Sequence, residues 1–323
     1  MRSPSRLALI GLNLVVYYLL LRWVAGNVQP ARLMEHLRQI PLWALAGSLA
    51  LNFAGLALYG ARLSLLLGRD FRTGFSIVNL GYALNTLMPL RLGDAIKIYL
   101  GHRLFATPLL GIFAASVAEK VVDLSSVLLI GLVVAAYAAG EAVSAGVLLP
   151  ISVLVAAGAA LFVVFRFYIV AIVKMLPKRG RLRRMFIQLH KHADAYPVAR
   201  VLAFTAAIWT LNLAQVYYSF NAFLPGLDLG IADSAKLLLI VALAIAIPSA
   251  PAGIGLFEAG IVAYLTTRSG VSNEAGLAAA AVFHLVVALP QLVIAGLLVP
   301  ALWLPAGKPA AEQGQSVEER AAK

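Results

Sequence analysis

The chain has 323 residues, of which 62% are hydrophobic and only 12% are charged, whereas a soluble domain carries about 25% charged residues. This composition excludes a soluble globular protein and predicts an all-α polytopic membrane protein. The chain has no cysteine, which excludes disulfides and thiolate metal sites. Its net charge of +12 comes from basic residues in short loops beside apolar segments. This placement is typical of membrane topology signals and argues against nucleic-acid binding.

Six apolar segments reach or approach the roughly 20 residues needed to cross a bilayer. We predict about six full spans plus two re-entrant hairpins, eight to ten hydrophobic segments in all, because two further apolar stretches, near 74–90 and 235–265, are interrupted by Pro and Gly. The spans form one transmembrane domain over 1–306, followed by a polar tail at 307–323 that we expect to be disordered. The six segments are 7–21, which we interpret as an uncleaved first span, 42–59, 124–139, 147–165, 201–223 and 278–300.

Loop charges predict the topology. The basic loop, residues 174–200, contains eight Lys or Arg residues against a single acid, Asp194, and is therefore predicted to be cytoplasmic, like both termini. The same count of loop charges places both ends of the 74–100 stretch on the cytoplasmic side. It places both ends of the 235–265 stretch on the outside. The halves, about 1–140 and 141–306, then have opposite orientation, which predicts an inverted repeat.

Both interrupted stretches place helix-breaking residues ahead of an acid that begins a new apolar helix. Pro and Gly leave free backbone amides at membrane depth, which are tolerable only where they face protein, water or a ligand. A helix start of this kind suits an acid and can also hold a phosphate; the alternative is an ordinary loop between two spans. The first hairpin contains Asn85, Pro89, Arg91, Gly93, Asp94 and Lys97, and the second contains Pro248, Pro251, Gly253, Gly255 and Glu258.

A third feature lies in the apolar stretch 107–138. Glu119 and Asp123 are four residues apart and share a helix face, and Lys120 is spaced to pair with Asp123. Ionisable groups inside a span usually face the bundle interior or a water-filled cavity. The alternative interpretations are a structural ion-pair cluster, or a helix long enough to carry these residues toward the membrane interface.

Together these charges predict a lipid head-group or transport site with no catalytic residue and no metal. The set holds three cations and four anions, so it can close on itself when empty. Arg91 is the best phosphate ligand because of its fork of donors. The predicted site residues are Asn85, Arg91, Asp94, Lys97, Glu119, Lys120, Asp123 and Glu258.

Other polar residues suggest simpler roles. Arg62 ends the second span, where snorkelling to the interface is the simplest explanation. His284 and Gln291 lie seven apart on the last span, on one face, and either line a cavity or supply packing polarity. Interhelical hydrogen bonds are expected from Asn212, Gln215 and Tyr218.

With these three motifs in this order, the sequence resembles the lysylphosphatidylglycerol synthase transmembrane region family, also called flippase-like domain proteins, over about residues 7–300. The family usually has Glu where this chain has Asp94, and Arg where it has Lys97 and Lys120. The sign of each charge is therefore the same, whereas the length of each side chain differs. The resemblance implies a multi-pass protein of the bacterial inner membrane that moves a lipid between leaflets. Bifunctional members add a soluble lysine-transferring domain; no stretch of this sequence outside the membrane has the length to form one, so we expect no lysyl transfer and no cofactor.

The leading hypothesis is a flippase or transporter of an anionic phospholipid or a polyprenyl-phosphate lipid. No P-loop is present, so we expect either proton coupling through the buried acids or downhill movement. One alternative is a membrane-embedded transferase or phosphatase acting on a lipid phosphate, with carboxylates as acid or base. The other is a non-catalytic partner whose basic loop recruits a peripheral lipid-biosynthesis enzyme; the oligomeric state is left open.

Overall fold

A computed structural model describes residues 28–88, 91–138, 198–247 and 251–303, together with Arg22 and Gly26. Within these residues all regular structure is helical and no strand is present, which confirms the all-α part of the predicted fold class. Several predicted features lie outside the described residues: the spans at 7–21 and 147–165, the basic loop up to residue 197, the 307–323 tail, Pro89 and Pro248.

The described residues form nine α-helices and one short 3₁₀ turn. The first five are α1 (Pro30–Gln39), α2 (Leu42–Leu67), α3 (Phe71–Leu87), α4 (Leu92–Phe105) and α5 (Leu109–Ala138). The other four are α6 (Val198–Phe223), α7 (Ile231–Ala246), α8 (Leu256–Ser269) and α9 (Asn273–Trp303), with the 3₁₀ turn Pro251–Gly253 between α7 and α8.

Three of the described helices are long and apolar enough to cross a membrane, namely α2, α6 and the Asn273–Leu298 part of α9. Each of these segments has 26 residues, a rise of about 39 Å, which exceeds a hydrocarbon core about 30 Å thick. Helix α5 is longer, at 30 residues, but carries the three charges at 119–123 within its apolar length.

The helix lengths repeat along the chain. Helices α2 to α5 have 26, 17, 14 and 30 residues, and helices α6 to α9 have 26, 16, 14 and 31. Each half therefore places a pair of short helices between two long ones. The two sets lie on either side of residue 140.

The long helices α2 and α6 pack against each other in antiparallel fashion. Asn212 Nδ2 donates to the hydroxyl of Tyr59 (3.0 Å), and the hydroxyl of Tyr218 donates to the carbonyl of Trp43 (3.2 Å). The interhelical hydrogen bonds expected from Asn212 and Tyr218 are thus present. The amide nitrogen of Gln215 is buried in the same interface and has no hydrogen-bond partner among the described residues.

Two large apolar clusters, and a small third one between α3 and α9, hold the bundle together. The larger joins α6, α7, α8 and α9 around the stacked rings of Phe257 and Phe283, and the smaller joins α2, α3 and α5 around Leu63 and Ile112. Helices α2 and α3 cross closely because Gly60 faces Phe75; a Cβ on Gly60 would lie 2.8 Å from the Phe75 Cα. Helix α3 also contacts the 3₁₀ turn of the second half.

Candidate functional site

The first break separates α3 from α4, where the sequence predicted it. Arg91 precedes α4 in the left-handed conformation (φ 55°), which a residue with a Cβ adopts only under strain. Across the break, Asp94 N donates to Asn85 Oδ1 (3.1 Å) and Asn85 Nδ2 donates to Asp94 Oδ1 (3.2 Å). Asn85 thereby ties the last turn of α3 to the first turn of α4.

Gly93 lies inside the first turn of α4 and has helical geometry, so the unusual backbone at this break belongs to Arg91. A Cβ on Gly93 would lie 2.4 Å from the backbone nitrogen of Asn85 and 2.5 Å from the carbonyl oxygen of Gly81. The contribution of Gly93 is therefore close packing of α4 against α3.

An outer cluster of three charges, Arg91, Asp94 and Lys120, surrounds this break. Arg91 Nε lies 3.3 Å and Lys120 Nζ lies 3.4 Å from the same carboxylate oxygen, Asp94 Oδ2. The side chain of Lys120 is 49% exposed, whereas those of Arg91 and Asp94 are each 27% exposed. The cluster carries one positive charge in excess and remains accessible.

Behind it lies an inner network of four charges, Arg62, Lys97, Glu119 and Asp123. Arg62 binds Asp123 through both terminal nitrogens (2.7 and 2.8 Å), and Lys97 Nζ lies 3.3 Å from Glu119 Oε2. Arg62 Nη2 also lies 3.8 Å from Glu119 Oε1, which links the two pairs. The network is electrically neutral and joins α2, α4 and α5.

The structure corrects two sequence-based interpretations here. Arg62 does not snorkel to an interface: its side chain is fully buried, and its Nη1 also donates to Thr205 on α6 (3.1 Å). Lys120 does not pair with Asp123, because Asp123 faces Arg62 while Lys120 points toward Asp94 on α4. Adjacent residues on a helix point about 100° apart, so Glu119 and Lys120 enter different clusters.

The second break, between α7 and α8, has a different chemistry. Ala252, Gly253 and Gly255 all have positive φ angles, of 57°, 74° and 89°. Glu258 Oε2 accepts a hydrogen bond from the Gly255 backbone N–H (2.6 Å), and Glu258 Oε1 lies 2.5 Å from Nδ1 of His284. One carboxylate therefore caps α8 and fixes it to α9. Pro251 begins the 3₁₀ turn that the break contains.

The two breaks touch each other, although they lie far apart in sequence. Arg91 Nη1 donates to the carbonyl oxygen of Ile245, near the end of α7, at 2.9 Å. On the same side of the bundle, Gln291 Nε2 donates to Thr86 Oγ1 at 2.9 Å, which binds α9 to the last turn of α3. The polar face expected for His284 and Gln291 therefore contacts both breaks.

A cleft of about 420 Å³ adjoins the outer cluster, between α4 and α5. Its polar lining consists of Asp94, Ser116 and Lys120. The rest is apolar and includes Ile98, Phe113, Val117, Val121 and Leu124. Almost all of the accessible surface of the cleft is apolar.

The predicted site residues separate into groups. Asn85, Arg91, Asp94 and Lys120 meet at the first break, and Lys97, Glu119 and Asp123 lie in the buried layer behind it. Glu258 lies apart from both, at the second break.

Sequence reasoning missed two contributors, Arg62 and Ser116. For Arg62 a signal existed, because an arginine near the end of an apolar span either snorkels to the interface or pairs with a buried acid on another helix. Nothing in the sequence distinguishes Ser116 from other serines.

A family model described as "Lysylphosphatidylglycerol synthase TM region" matches residues 9–295. Comparison with curated proteins finds no match. The family match spans both breaks, both charge clusters, two of the candidate membrane helices and all but the last three residues of the third.

Proposed function

The chain belongs to the lysylphosphatidylglycerol synthase TM region family and is a multi-pass helical membrane protein, and on this basis we propose that it moves a phosphate-bearing lipid between leaflets. The substrate would be an anionic phospholipid or a polyprenyl phosphate. The single observation that carries the proposal is the contact between the two helix breaks, where Arg91 binds the carbonyl of Ile245 beside an accessible cluster of charges.

Short helices support a re-entrant arrangement of both breaks. Helices α4 and α8 have 14 residues each, a rise of about 21 Å, and neither can cross a core about 30 Å thick unaided. Non-helical backbone at membrane depth is tolerated where it lines a protein cavity. We propose that each α3–α4 and α7–α8 pair enters and leaves from one side.

The repeated lengths favour an inverted repeat with alternating access. In transporters of that kind, broken helices from two opposed repeats meet near the midplane around the substrate. We propose that both termini face the cytoplasm of a bacterial inner membrane, so that the first break opens inward and the second outward. Because the chain lacks cysteine, single cysteines at Leu90 and Ala252 test this orientation. Labelling of both from the same side at the same depth would overturn it.

Arg91 is the proposed phosphate ligand. Its guanidinium is always charged, presents a planar fork of donors and is here only partly occupied by Asp94 and the Ile245 carbonyl. In the empty state Asp94 neutralises part of the positive charge. A bound phosphate would replace Asp94 as the partner of the cations, and the buried acids offer a route for coupled protons.

The test is lipid translocation in proteoliposomes, with a panel of labelled phospholipids and polyprenyl phosphates. We expect movement of one lipid class that both Arg91→Ala and Glu258→Gln abolish. Arg72→Ala is the matched control, because Arg72 is exposed in the first turn of α3, at the opposite end from the break.

The other outcomes are equally informative. Failure of the folded protein to move any lipid, with and without a proton gradient, would refute the transport proposal. Chemical conversion of a lipid by the protein would instead support a membrane-embedded transferase or phosphatase. Formation of lysylated lipid would contradict the expectation that this chain transfers no lysine.

A further inference from the structure

A stripe of polar side chains runs along the interface between α2 and α6, and only its Arg62 end belongs to the charge clusters described above. On each helix the members are spaced three, four or seven residues apart, so each set lies on one helix face. Both helices are long and apolar enough to cross a membrane, so polar residues in their contact require an explanation. The stripe consists of Ser48, Asn52, Tyr59 and Arg62 on α2 and of Thr205, Asn212, Gln215 and Ser219 on α6.

Hydrogen bonds fix which members of the stripe face each other. They join Ser48 to Ser219 (2.6 Å), Asn212 to Tyr59 (3.0 Å) and Arg62 to Thr205 (3.1 Å). Because the helices are antiparallel, this register places Asn52 opposite Gln215, between the first two of these pairs. Fourteen residues separate Ser48 from Arg62, a rise of about 21 Å. The stripe therefore extends through much of a hydrocarbon core about 30 Å thick.

The stripe contains buried hydrogen-bond donors that have no acceptor. Asn52 is 8% exposed and Gln215 is 6% exposed, yet the amide nitrogen of each has no partner among the described residues. The same holds for Nε of Arg62, whose side chain is fully buried. A buried donor without an acceptor costs free energy, and the bilayer core supplies none. Three such donors along one interface indicate that an acceptor lies between the helices.

Water is the acceptor that suits this interface. Between Ser48 and Tyr59 every member of the stripe is uncharged, so an anion bound there would lose its hydration without gaining a counter-charge. A water molecule is neutral, and a buried one commonly makes about three hydrogen bonds. Water also donates while it accepts, as do the hydroxyls of serine and tyrosine. A file of waters beside these hydroxyls therefore forms a continuous hydrogen-bonded chain.

The stripe connects an open end to a buried acid. At one end Trp43 is 63% exposed, and its carbonyl accepts a hydrogen bond from the hydroxyl of Tyr218 (3.2 Å). At the other end Arg62 binds Asp123 through both terminal nitrogens. The proposed topology places the Trp43 end outside the cell. A proton that enters there reaches the inner network without passing the outer cluster.

Asp123 is the acid at which the stripe ends. It faces Arg62 from α2, and Glu119, on the same helix as Asp123, lies 3.8 Å from the same guanidinium. The inner network is neutral, so one proton on Asp123 gives it a net charge of +1. That charge would favour an anion at the adjoining first break. The other titratable groups around the pair are Lys97 on α4, Tyr59 on α2 and Tyr82 on α3.

We propose that the interface between α2 and α6 is a hydrated path that carries protons from the Trp43 end to Asp123. Water oxygens accept the free donors of Asn52 and Gln215, and protons pass along these waters and the hydroxyls of the stripe. A delivered proton converts the Asp123 carboxylate to a carboxylic acid, which weakens its bond to Arg62. The proposal rests on the proposed lipid transport, and it assigns the coupled ion and the route of that ion.

The variants that test the path remove its free amides and keep their shape. Asn52→Leu with Gln215→Met, the dry double variant, should fold with an unchanged or higher melting temperature, because each substitution removes an unpartnered buried group. The matched control is Phe53→Leu with Tyr217→Phe. These residues neighbour the two amides along their helices but are 45% and 44% exposed. A packing role for Asn52 and Gln215 predicts that both double variants behave alike.

The first measurement tests hydration and needs no transport. Short X-ray pulses make hydroxyl radicals from water, and these modify aromatic side chains beside that water. In the full-length protein in detergent, we expect mass spectrometry to find Tyr59 modified several-fold more than Phe283, which is 2% exposed within the larger apolar cluster. The dry double variant should lose this excess, and the control should keep it. Equal modification of both rings, or an excess that the dry variant keeps, would overturn the proposal.

The second measurement tests proton delivery in proteoliposomes, with the panel of labelled phospholipids and polyprenyl phosphates. If one proton accompanies each lipid, a gradient of one pH unit shifts the distribution of that lipid between leaflets about tenfold. The control should show the same shift. The dry double variant should move the lipid but give the same distribution with and without the gradient.

The path and the transport function fail separately. Lipid movement that ignores the pH gradient in the unaltered protein would overturn proton delivery and leave lipid transport standing. A hydrated Tyr59 without movement of any lipid would refute the transport function and leave the water path standing. A gradient-dependent shift that disappears when gluconate replaces chloride would overturn water as the occupant, because a halide would then be the acceptor between the helices.

Discussion

The two pairs of short helices, α3–α4 and α7–α8, have nearly the same lengths but different chemistry at their breaks. At the second break a single carboxylate, Glu258, satisfies the backbone of Gly255 and binds His284. At the first break seven charged side chains converge, those of the inner network and of the outer cluster. A broken helix in this fold thus requires only one acid for its stability.

The extra charges at the first break are therefore more than the backbone needs. Burying an ion costs several kcal/mol of desolvation, which a partner in good geometry only partly offsets. Charges inside membrane segments commonly mark a substrate or ion pathway. This difference in charge supports the proposal that the ligand binds at the first break.

The inner network and the outer cluster should respond very differently to loss of an arginine. Arg62→Met leaves Asp123 and Glu119 without their fully buried cation, and should lower the free energy of unfolding by about 3–5 kcal/mol. Arg91→Met removes a partly exposed pair and should cost at most about 1 kcal/mol. Thermal unfolding of both variants in the same detergent measures the difference.

A second substitution checks the cause. Arg62→Met combined with Asp123→Leu removes the partner as well and should recover part of the loss, because Glu119 keeps Lys97. Equal melting temperatures for Arg62→Met and Arg91→Met would remove the distinction between the two groups of charges.

The backbone strain at the second break provides a smaller effect. Ala252 has a φ of 57°, a conformation that costs an L-residue about 1–2 kcal/mol. Ala252→Gly relieves that strain but gives the unfolded chain more freedom, so we expect a net stabilisation of about 0.5–1 kcal/mol. Ala259→Gly, inside α8, should instead destabilise by about 1 kcal/mol.

The matching change at the first break sharpens the comparison. Arg91 has a φ of 55°, so Arg91→Gly gains the same relief but also loses the contacts to Asp94 and Ile245. We expect Arg91→Gly to gain less stability than Ala252→Gly and to lose lipid movement. If Arg91→Gly stabilised the protein more than Ala252→Gly and left lipid transport intact, the contacts of Arg91 would contribute to neither break.

Hydropathy predicted the long helices well because the bilayer core sets their length. The apolar segments that begin at Leu42, Val201 and Ala278 lie within α2, α6 and α9. The break at Arg91 was predictable because Pro89, Gly93 and Asp94 lie close together in the sequence around it. These signals are local in sequence, and each reflects a constraint on a single segment.

The pairing of the charges was not predictable, because it depends on which helices touch. Arg62 and Asp123 are 61 residues apart, and Arg91 and Ile245 are 154 apart. The Ser116 hydroxyl, which has no hydrogen-bond partner among the described residues, is also a result of packing, since a serine in a helix can donate to the carbonyl four residues earlier. Patterns within one segment contain no information on these contacts.

The start of each short pair offers the smallest test. Asp70 caps α3 by accepting hydrogen bonds from the backbone nitrogen (3.0 Å) and the hydroxyl (2.8 Å) of Thr73, which lower the pKa of its carboxyl below the usual 3.8. Gly230 occupies the same position before α7 and has no side-chain cap. The first pair should therefore respond to acid through its cap, whereas the acid at the start of the second pair, Asp233, accepts hydrogen bonds from Lys236 and Tyr264 and caps no backbone N–H.

The sign of this pH dependence follows from the lowered pKa. The contribution of Asp70 to stability is fully present above its unfolded value near 3.8 and is lost as the pH falls through its lower folded value. Asp70→Asn keeps a capping side chain that does not titrate. We expect the difference in melting temperature between the unaltered protein and Asp70→Asn to be constant between pH 7 and 5 and to decrease below pH 3.8. A difference that persists at low pH would show that the cap at Asp70 does not depend on its charge.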